Sequence, residues 1–406
     1  MNLKLQKSTI KSKQSITITG SKSESNRLLL LQALYPEVTL ENVSNSDDSQ
    51  LMQKALQSTS ETVDIHHAGT AMRFLTAYFS TKKGRELTLT GSKRMKERPI
   101  KILVDALIEL GADISYKENE GYPPLLIKGK QLTKDKVTLK ANVSSQYISA
   151  LLLIAPKLKN GLELTLDGKI TSVPYINMTL KLLEDIGVTA TFTGNVIKVN
   201  PKIAIQPHQA LIESDWSSVS YFYSLLALSE FGTKITLSAY KKDSLQGDSV
   251  LADIYQHFGV DTTFNNNTIQ LYKSQSDLDE NIEFDLSNAP DIAQTIAVTA
   301  FGLGMECHLT GLHTLKIKET DRLVALKTEL EKLGGFVHIT NNSLHLKAST
   351  NINTNIAINT YNDHRMAMAF ASLALKESLT INDANVVSKS YPDFWKDLEL
   401  LGIQIL

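Results

Sequence analysis

Six segments of the chain begin with polar residues and continue as an almost unbroken apolar run. Helices with apolar residues on nearly every side are buried in a protein core. The N–H groups at a helix start lack partners and carry partial positive charge, so they suit a phosphate or a carboxylate. The pattern therefore predicts six buried helices whose starts are suited to anions. These segments are 21–34, 69–79, 144–156, 214–228, 290–303 and 362–375.

A second kind of helix alternates with the first. Its apolar residues recur at i, i+3, i+4 and i+7 with charges between them, which predicts one buried and one solvent-facing side. Five of the six copies end in Gly after Leu, Ile or Phe, and this Gly is a helix C-cap signal. The copies are 46–58, 98–112, 173–188, 247–260, 319–335 and 392–403.

Short alternating runs between the helices predict strands. Most helices of the second kind are followed by a hairpin pattern, with Gly194-Asn195 and Asn341-Asn342 as turn candidates, but the first copy shows no obvious hairpin. The predicted strands are 15–19, 38–43, 86–90, 136–140, 162–166, 234–238, 282–286, 308–312, 356–360 and 378–382.

Together these elements predict a repeat of strand, buried helix, strand, exposed helix and hairpin. Six copies in 406 residues take about 68 residues each. Three copies per domain predict two α/β domains, each with three buried helices inside a coat of sheet and exposed helix. If the buried helices of a domain point the same way, their starts meet on one face, and two such faces form a cleft for a ligand.

Composition and charge exclude several classes of protein. The hydrophobic content of 42% and charged content of 21% are ordinary for a soluble protein. A formal net charge of −1 does not indicate attraction to nucleic acid or to an acidic membrane. The single cysteine, Cys307, excludes an intrachain disulfide and fits a reducing compartment. Without a signal-like or membrane-spanning apolar run, the predicted location is the cytoplasm.

Charged residues gather at the predicted helix starts. Each has an ordinary interpretation as a cap, an intrahelical pair or a solvated charge. Gly69 permits close approach of the backbone to a ligand, and Ser144, Ser145 and Gln146 offer hydroxyls and an amide. Jointly they predict chemistry on an anionic small molecule. Because P-loop, dinucleotide and metal-ligand patterns are absent, no cofactor is expected. The charged set is Lys22, Arg27, Arg98, Lys318, Arg322, Arg365, Lys389, Asp291 and Glu319.

Eight motifs of the chain occur in the same order in a known enzyme family. They read GSKSESNR, AGTAMR, RMKERPI, SSQ, PDIA, KETDR, YNDHRMAMAF and YPDFW, and they extend from residue 20 to 395. By these motifs the chain resembles the 5-enolpyruvylshikimate-3-phosphate synthase family of enolpyruvyl transferases. The resemblance implies two inside-out α/β domains of three repeats each, with the active site in the interdomain cleft. It also implies that 1–18 joins 214–406 in one domain and that 19–213 forms the other.

The resemblance further implies a reaction. The enolpyruvyl group of phosphoenolpyruvate would move to the 5-hydroxyl of shikimate 3-phosphate, with release of phosphate, on the route to chorismate and the aromatic amino acids. The implied route is addition and elimination through a tetrahedral intermediate, without a metal, a cofactor or a covalent enzyme adduct. The expected partners are these two substrates and neither nucleic acid nor membrane, and the expected state is a monomer.

The same resemblance assigns roles by motif. Asp291 would accept the hydroxyl proton, and Glu319 would protonate the methylene carbon and take that proton back. Lys22 and Gln146 would contact both substrates. Lys22 is counted with Asp291 and Glu319 among the catalytic residues. Shikimate 3-phosphate would be held by Ser23, Arg27, Ser144, Ser145, Ser172, Asp291 and Lys318, with Tyr175 as a packing contact. Phosphoenolpyruvate would be held by Gly69 through its backbone, Arg98, Arg322, Arg365 and Lys389.

Two departures from the family and three alternatives complete the sequence-based prediction. His67 stands where the family usually has Asn before A-G-T, and Thr314 aligns near an Asn that commonly contacts shikimate phosphate.

The sister enzyme that acts on a UDP-amino sugar typically has a reactive Cys in the loop matching 93–100, where this chain has none. The retained Asp291 and Glu319 disfavour a noncatalytic binding protein, and the net charge disfavours an RNA-end-binding relative.

Overall fold

The computed structural model describes residues 1–140, 144–168, 170, 173–275, 278 and 280–406. Its chain forms two compact units. The first unit combines Met1–Thr19 with Glu213–Leu406, and the second unit is Gly20–Ile212. The chain thus crosses from one unit to the other twice, and each crossing differs by one residue from the position expected from the sequence.

Helices of the two predicted kinds alternate along the chain. Several are preceded or followed by short 3-10 turns, namely Ala155–Lys157, Gly247–Val250, Tyr255–Phe258, Pro290–Ile292, His313–Ile317, Ser372–Leu375 and Ala384–Lys389. The α-helices are α1 (Lys22–Leu34), α2 (Asp47–Gln57), α3 (Gly69–Ser80), α4 (Lys93–Lys96), α5 (Lys101–Glu109), α6 (Ser145–Ile154), α7 (Val173–Asp185), α8 (Trp216–Leu228), α9 (Leu251–Ile254), α10 (Ala293–Leu303), α11 (Arg322–Lys332), α12 (His364–Ala371) and α13 (Phe394–Leu401).

The strands are short and lie between the helices. They are β1 (Leu3–Leu5), β2 (Gln14–Ile16), β3 (Val38–Glu41), β4 (Thr62–Asp64), β5 (Glu86–Thr90), β6 (Asp113–Tyr116), β7 (Leu125–Lys128), β8 (Lys136–Lys140), β9 (Leu162–Asp167), β10 (Ala190–Thr193), β11 (Val196–Val199), β12 (His208–Leu211), β13 (Lys234–Ser238), β14 (Val260–Asn265), β15 (Thr268–Lys273), β16 (Asn281–Asp285), β17 (Glu306–Thr310), β18 (Phe336–Ile339), β19 (Leu344–Lys347), β20 (Ile356–Ile358) and β21 (Leu379–Ile381).

Each repeat forms one small sheet. In the second repeat β4 pairs parallel with β5, and the antiparallel hairpin β6–β7 continues the sheet through β7. The third, fourth and fifth repeats have the same strand order. The first repeat lacks a hairpin, as predicted. The sixth also lacks one, because the N-terminal strand β1 pairs antiparallel with β21 in its place.

Two repeats take one strand from a distant part of the chain, just before a crossing between the units. β2 precedes α1 in the sequence, yet it pairs parallel with β13 of the fourth repeat, with Gln14 opposite Ile235. β12, which has no counterpart among the predicted strands, pairs parallel with β3 of the first repeat. Strand pairing therefore ties the segment before each crossing into the unit that the chain is about to leave.

Burial and helix ends follow the predicted pattern closely. Every residue of α3 is buried, and so is nearly every residue of α8, α10 and α12. The five C-cap glycines have φ values between 72° and 108°, where a side chain would be strained, so the C-cap prediction is confirmed. These glycines are Gly111, Gly187, Gly259, Gly334 and Gly402.

Three predictions of helix extent were wrong. Segment 247–260 has only one α-helical turn, α9, between two 3-10 turns. Helix α5 begins at Lys101, after Pro99, rather than at residue 98. Helix α11 begins at Arg322, because the Asp321 carboxylate accepts from the N–H groups of its first turn and caps it there. Within the described part of the chain, no helix is long and apolar enough to cross a membrane.

Candidate active site

Arg322 joins three carboxylates in the first unit. Its buried guanidinium donates from Nη1 to Asp291 Oδ1 and from Nη2 to Glu319 Oε2, both at 2.8 Å. Its Nε donates to Asp363 Oδ2 at 2.6 Å. The two carboxylates that the resemblance assigned to proton transfer are therefore held on neighbouring nitrogens of one cation. Charge-assisted bonds of this kind fix both position and orientation.

Two further cations face Asp291. Lys318 Nζ lies 3.3 Å from Asp291 Oδ1, and Arg365 Nη2 lies 3.3 Å from Oδ2. Arg365 Nη2 also donates to Ser217 Oγ at 3.2 Å, while its buried Nε has no partner in the described structure.

The two guanidinium groups are permanent positive charges. Burial by itself lowers the pKa of Arg322, but Asp363, Glu319 and Asp291 outweigh it and raise that pKa above its ordinary value. For Arg365 the pKa is also raised, because the attraction of Asp291 and other negative groups outweighs burial. Neither group loses its proton at any pH at which the protein is folded.

The starts of the three buried helices of the first unit meet at this cluster. Ser217 belongs to the first turn of α8, Asp291 to the 3-10 turn ahead of α10, and Arg365 to the first turn of α12. Deeper in the unit, the hydroxyls of Ser220 and Thr295 lie 3.0 Å apart and link α8 to α10. The convergence that the repeat predicted is present in this unit.

Lys389 lies beside the start of α12. Its Nζ donates to the backbone carbonyl of Asn362 at 2.6 Å. The next residue, Asp363, caps α12 by accepting from the N–H of Arg365 at 2.9 Å and is also the third carboxylate on Arg322. Lys389 is thus attached to the segment that carries two members of the cluster.

Gly69 and Arg98 are in direct contact in the second unit. A Cβ on Gly69 would lie 2.5 Å from Nη1 of Arg98, so any larger residue at the start of α3 would displace the guanidinium. The sequence indicated a close approach at Gly69, and the group that approaches it is Arg98. A helix start beside a guanidinium is an arrangement suited to an anion.

The start of α6 is linked to the start of α3. Gln146 Nε2 donates to Thr70 Oγ1 at 3.2 Å. Ser144 caps α6 by accepting from the N–H of Gln146 at 3.3 Å, which is the ordinary interpretation of a serine at this position. Ser145 is buried as the first residue of α6. Ser172, a predicted contact of the sugar phosphate, lies outside the described residues.

Arg27 is bonded to groups inside the second unit. Its Nε donates to Thr179 Oγ1 at 2.8 Å, and its Nη2 donates to Ser149 Oγ at 2.9 Å. Its Nη1 donates to the backbone carbonyl of Ser23 at 2.7 Å, and the ring of Tyr175 lies 5.9 Å from its Cζ. Burial lowers the pKa of Arg27 to about 10. Arg27 therefore joins α1 to α6 and α7, and its contact with a phosphate stays a prediction.

Lys22 is the first residue of α1 and is partly exposed. Its Nζ lies 3.9 Å from Asp48 Oδ2 at the start of α2. The ring of His67, the first departure from the family, faces the same carboxylate with Nε2 at 3.8 Å. Thr314, the second departure, has a buried hydroxyl without a partner among the described residues.

Two buried carboxylates near Arg365 escaped sequence analysis. Asp363 lies inside the motif YNDHRMAMAF, and its side chain has no exposed surface. Its position one residue before α12 was a capping signal. Asp248 lies in the 3-10 turn Gly247–Val250, is buried, and its Oδ1 has no partner in the described structure. No local pattern marked Asp248, because its neighbours come from distant segments.

Asp248 has a perturbed acidity. Burial, and then the charge of Asp291, raise the pKa of Asp248 to about 7, with Arg365 opposing this shift. The ordinary value is 3.8, so the folded protein holds this proton more tightly than the unfolded chain. Protonated Asp248 therefore contributes to the free energy of unfolding. This contribution is fully present below the ordinary pKa of 3.8 and is lost as the pH rises through 7.

Asp248→Asn is therefore expected to remove a pH-dependent loss of stability. Between pH 5 and pH 8, the free energy of unfolding of the wild type should fall relative to the variant by about 1–4 kcal/mol. Urea unfolding of the full chain at the two pH values measures this difference. Asp261→Asn, at an exposed position in β14, is the control and should not alter the pH dependence. An equal stability difference at both pH values would contradict the expectation.

Comparison with known proteins gives matches over most of the chain. The sequence model of a family described as EPSP synthase (3-phosphoshikimate 1-carboxyvinyltransferase) matches residues 57–398. The chain is 48% identical over 401 residues to a 3-phosphoshikimate 1-carboxyvinyltransferase of Bacteroides fragilis (strain YCH46), covering 97% of this chain and 96% of the relative. It is 38% identical over 423 residues to that of Haemophilus influenzae (strain PittEE), covering 96% of each.

Solved structures share the fold at lower identity. EPSP synthase from Acinetobacter baumannii matches with a TM-score of 0.84 at 21% identity, covering 100% of this chain and 99% of that one. The enolpyruvyl transferase NikO from Streptomyces tendae matches with a TM-score of 0.76 at 14% identity, covering 100% and 98%. The predicted α/β fold class is confirmed by these likenesses.

Proposed function

Since the chain belongs to the EPSP synthase (3-phosphoshikimate 1-carboxyvinyltransferase) family, we propose which of its residues perform that family's reaction. The chain transfers the enolpyruvyl group of phosphoenolpyruvate to shikimate 3-phosphate, a step of the shikimate pathway to the aromatic amino acids. The proposal concerns the proton transfers, the binding of the two anions and the order of bond changes.

Asp291 and Glu319 would move the protons. In the addition step the 5-hydroxyl oxygen bonds to C2 of phosphoenolpyruvate, Asp291 accepts the hydroxyl proton, and Glu319 donates a proton to the methylene carbon. A tetrahedral intermediate results. In the elimination step the bond to the phosphate oxygen breaks, Glu319 takes its proton back, and the proton on Asp291 leaves with phosphate. The observation that carries this proposal is the Arg322 guanidinium, which holds both carboxylates at 2.8 Å.

The surroundings of the two carboxylates suit different roles. Asp291 faces Lys318, Arg322 and Arg365, which favour the ionised form that a base needs. Glu319 also pairs with Arg322, but its side chain is more exposed, at 29% against 16% for Asp291. Carboxylates in unequal environments can divide the roles of base and acid.

Fixed cations would bind the substrate anions and stabilise charge that develops during the reaction. For phosphoenolpyruvate we propose Arg322, Arg365 and Lys389 in the first unit, and Gly69 with Arg98 in the second. For shikimate 3-phosphate we propose Lys318 and Asp291 in the first unit and Ser23, Arg27, Ser144, Ser145 and Ser172 in the second. Lys22 and Gln146 would contact both substrates. A monomeric state and a cytoplasmic location stay predictions.

Phosphate release from phosphoenolpyruvate tests the choice of acceptor. Wild-type protein is expected to release phosphate when shikimate 3-phosphate is present, and at least about 10³-fold more slowly with a UDP-amino sugar. The diphosphate of that sugar is not placed like the ring phosphate that Lys318 and the serines would bind. Comparable rates with the two acceptors would contradict the assignment. Lys318→Met should raise KM for shikimate 3-phosphate, and Lys327→Met, a partly exposed lysine of α11, serves as its matched control.

A further inference from the structure

A charged cluster in the second unit lies next to Lys22 and has no role in the proposed reaction. It consists of Asp47 and Asp48 at the start of α2 and His66 and His67 in the loop before α3. His67 Nε2 lies 3.8 Å from Asp48 Oδ1 and 3.9 Å from Asp47 Oδ2. Lys22 Nζ lies 3.9 Å from the other oxygen of Asp48. One buried carboxylate therefore lies between a permanent cation and a titratable ring.

The backbone holds the His66–His67 loop in place. His66 has φ of 49°, in the left-handed region, and its N–H donates to Asp64 Oδ1 at 2.7 Å. Its carbonyl accepts from the N–H of Ser92 at 2.8 Å, and the N–H of Ala68 donates to the carbonyl of Ile65 at 2.9 Å. These bonds fix the backbone that carries the two rings.

The contact between the two rings determines where the protons lie. The Nδ1 atoms of His66 and His67 are 2.9 Å apart, so only one of them carries a proton in that bond. The two carboxylates that face Nε2 of His67 favour the tautomer with a proton on Nε2, in which Nδ1 of His67 would accept from Nδ1–H of His66. If Nδ1 of His67 takes up a proton, it can no longer accept from His66, and this hydrogen bond breaks. The imidazolium then faces Asp47 and Asp48 with a full positive charge.

We infer that His67 is a positioning residue that sets how much of the Lys22 charge is available to an anionic substrate. When His67 is neutral, Asp48 is neutralised mainly by Lys22. When His67 is charged, Asp48 has a second cation, and the Lys22 ammonium is released toward the substrate. His67 faces Asp47 and Asp48 of α2 and His66 of its own loop, and Asp48 in turn faces Lys22 of α1. The inference rests on the proposed contact of Lys22 with the substrates.

The pH dependence of KM for phosphoenolpyruvate tests this role. His67→Asn keeps a polar side chain but cannot ionise. Between pH 8 and pH 6, KM of the wild type should fall about 3–10-fold relative to KM of this variant, because imidazole titrates in this range. The measured quantity is the ratio of the two KM values, wild type to variant. The phosphate of the substrate also ionises near pH 6, but it affects both KM values alike. The kcat of the variant should stay within about threefold of wild type at pH 8.

A matched control and a readout without turnover separate this inference from the proposed function. His338→Asn, at an exposed position of β18 in the first unit, should behave as wild type. In NMR titration of the free enzyme, Asp48→Asn should lower the pKa of the His67 ring, because the ring loses a facing carboxylate. An unchanged KM ratio in an active His67→Asn enzyme, or an unchanged ring pKa in Asp48→Asn, would overturn the inference. Failure of the proposed function would instead show as absent phosphate release by the wild type.

Discussion

Asp291→Asn is expected to lower kcat by about 10²–10⁴-fold, the range over which a positioned base accelerates a reaction. The amide occupies nearly the same volume and keeps an oxygen for Arg322, but it cannot accept the hydroxyl proton. KM for shikimate 3-phosphate should change by less than about tenfold, because the binding cations remain. Steady-state phosphate release with both substrates varied measures kcat and KM separately.

Glu319→Gln should likewise lower kcat far more than it changes KM. The substitution removes the group proposed to protonate the methylene carbon, while Arg322 and Lys318, the proposed substrate contacts, remain. Asp261→Asn, an exposed aspartate of β14, is the control and should leave kcat unchanged. Near wild-type turnover in either Asp291→Asn or Glu319→Gln would remove that residue from the proposed chemistry. A loss confined to KM would instead assign it to binding.

Arg322→Met is expected to destabilise the first unit by about 3–5 kcal/mol. The guanidinium neutralises Asp363, whose side chain has no exposed surface, and it also pairs with Asp291 and Glu319. Without it, the Asp363 carboxylate must either stay buried with its charge uncompensated or take up a proton, and both cost free energy of folding. Urea unfolding of the full chain, followed by fluorescence of Trp216 and Trp395 in that unit, measures the change.

The double variant Arg322→Met, Asp363→Asn should regain part of this loss, because the buried charge is removed together with its partner. Lys7→Met is the surface control in the same unit: that lysine is 61% exposed and pairs with Glu377 at 3.5 Å, so its loss should cost no more than about 0.5 kcal/mol. A loss for Arg322→Met no larger than that of the control would show that the cluster does not depend on its central cation for stability.

Local patterns predicted most of the secondary structure because they depend on near neighbours in the chain. The strands 86–90, 136–140 and 234–238 have the predicted bounds, and the Gly194-Asn195 turn joins β10 to β11. Errors occurred where a side chain or a long-range pairing overrode the local pattern. Asp321 caps α11 three residues later than predicted, and β1 replaces the hairpin of the last repeat.

The motifs identified the family and with it the reaction, because eight short segments of the chain occur in that family's order. The sequence by itself thus determined the repeat, the two kinds of helix, the family and the set of candidate residues. Only the tertiary structure decided which of them meet. Arg322 reaches Asp291 and Asp363 across 31 and 41 residues of chain, and Arg27 is bonded to Ser149 across 122. The acidity of Asp248 and the position of His67 against Asp48 likewise depend on burial and on charges from distant segments. Hydrophobic periodicity carries no information about such long-range electrostatic contacts.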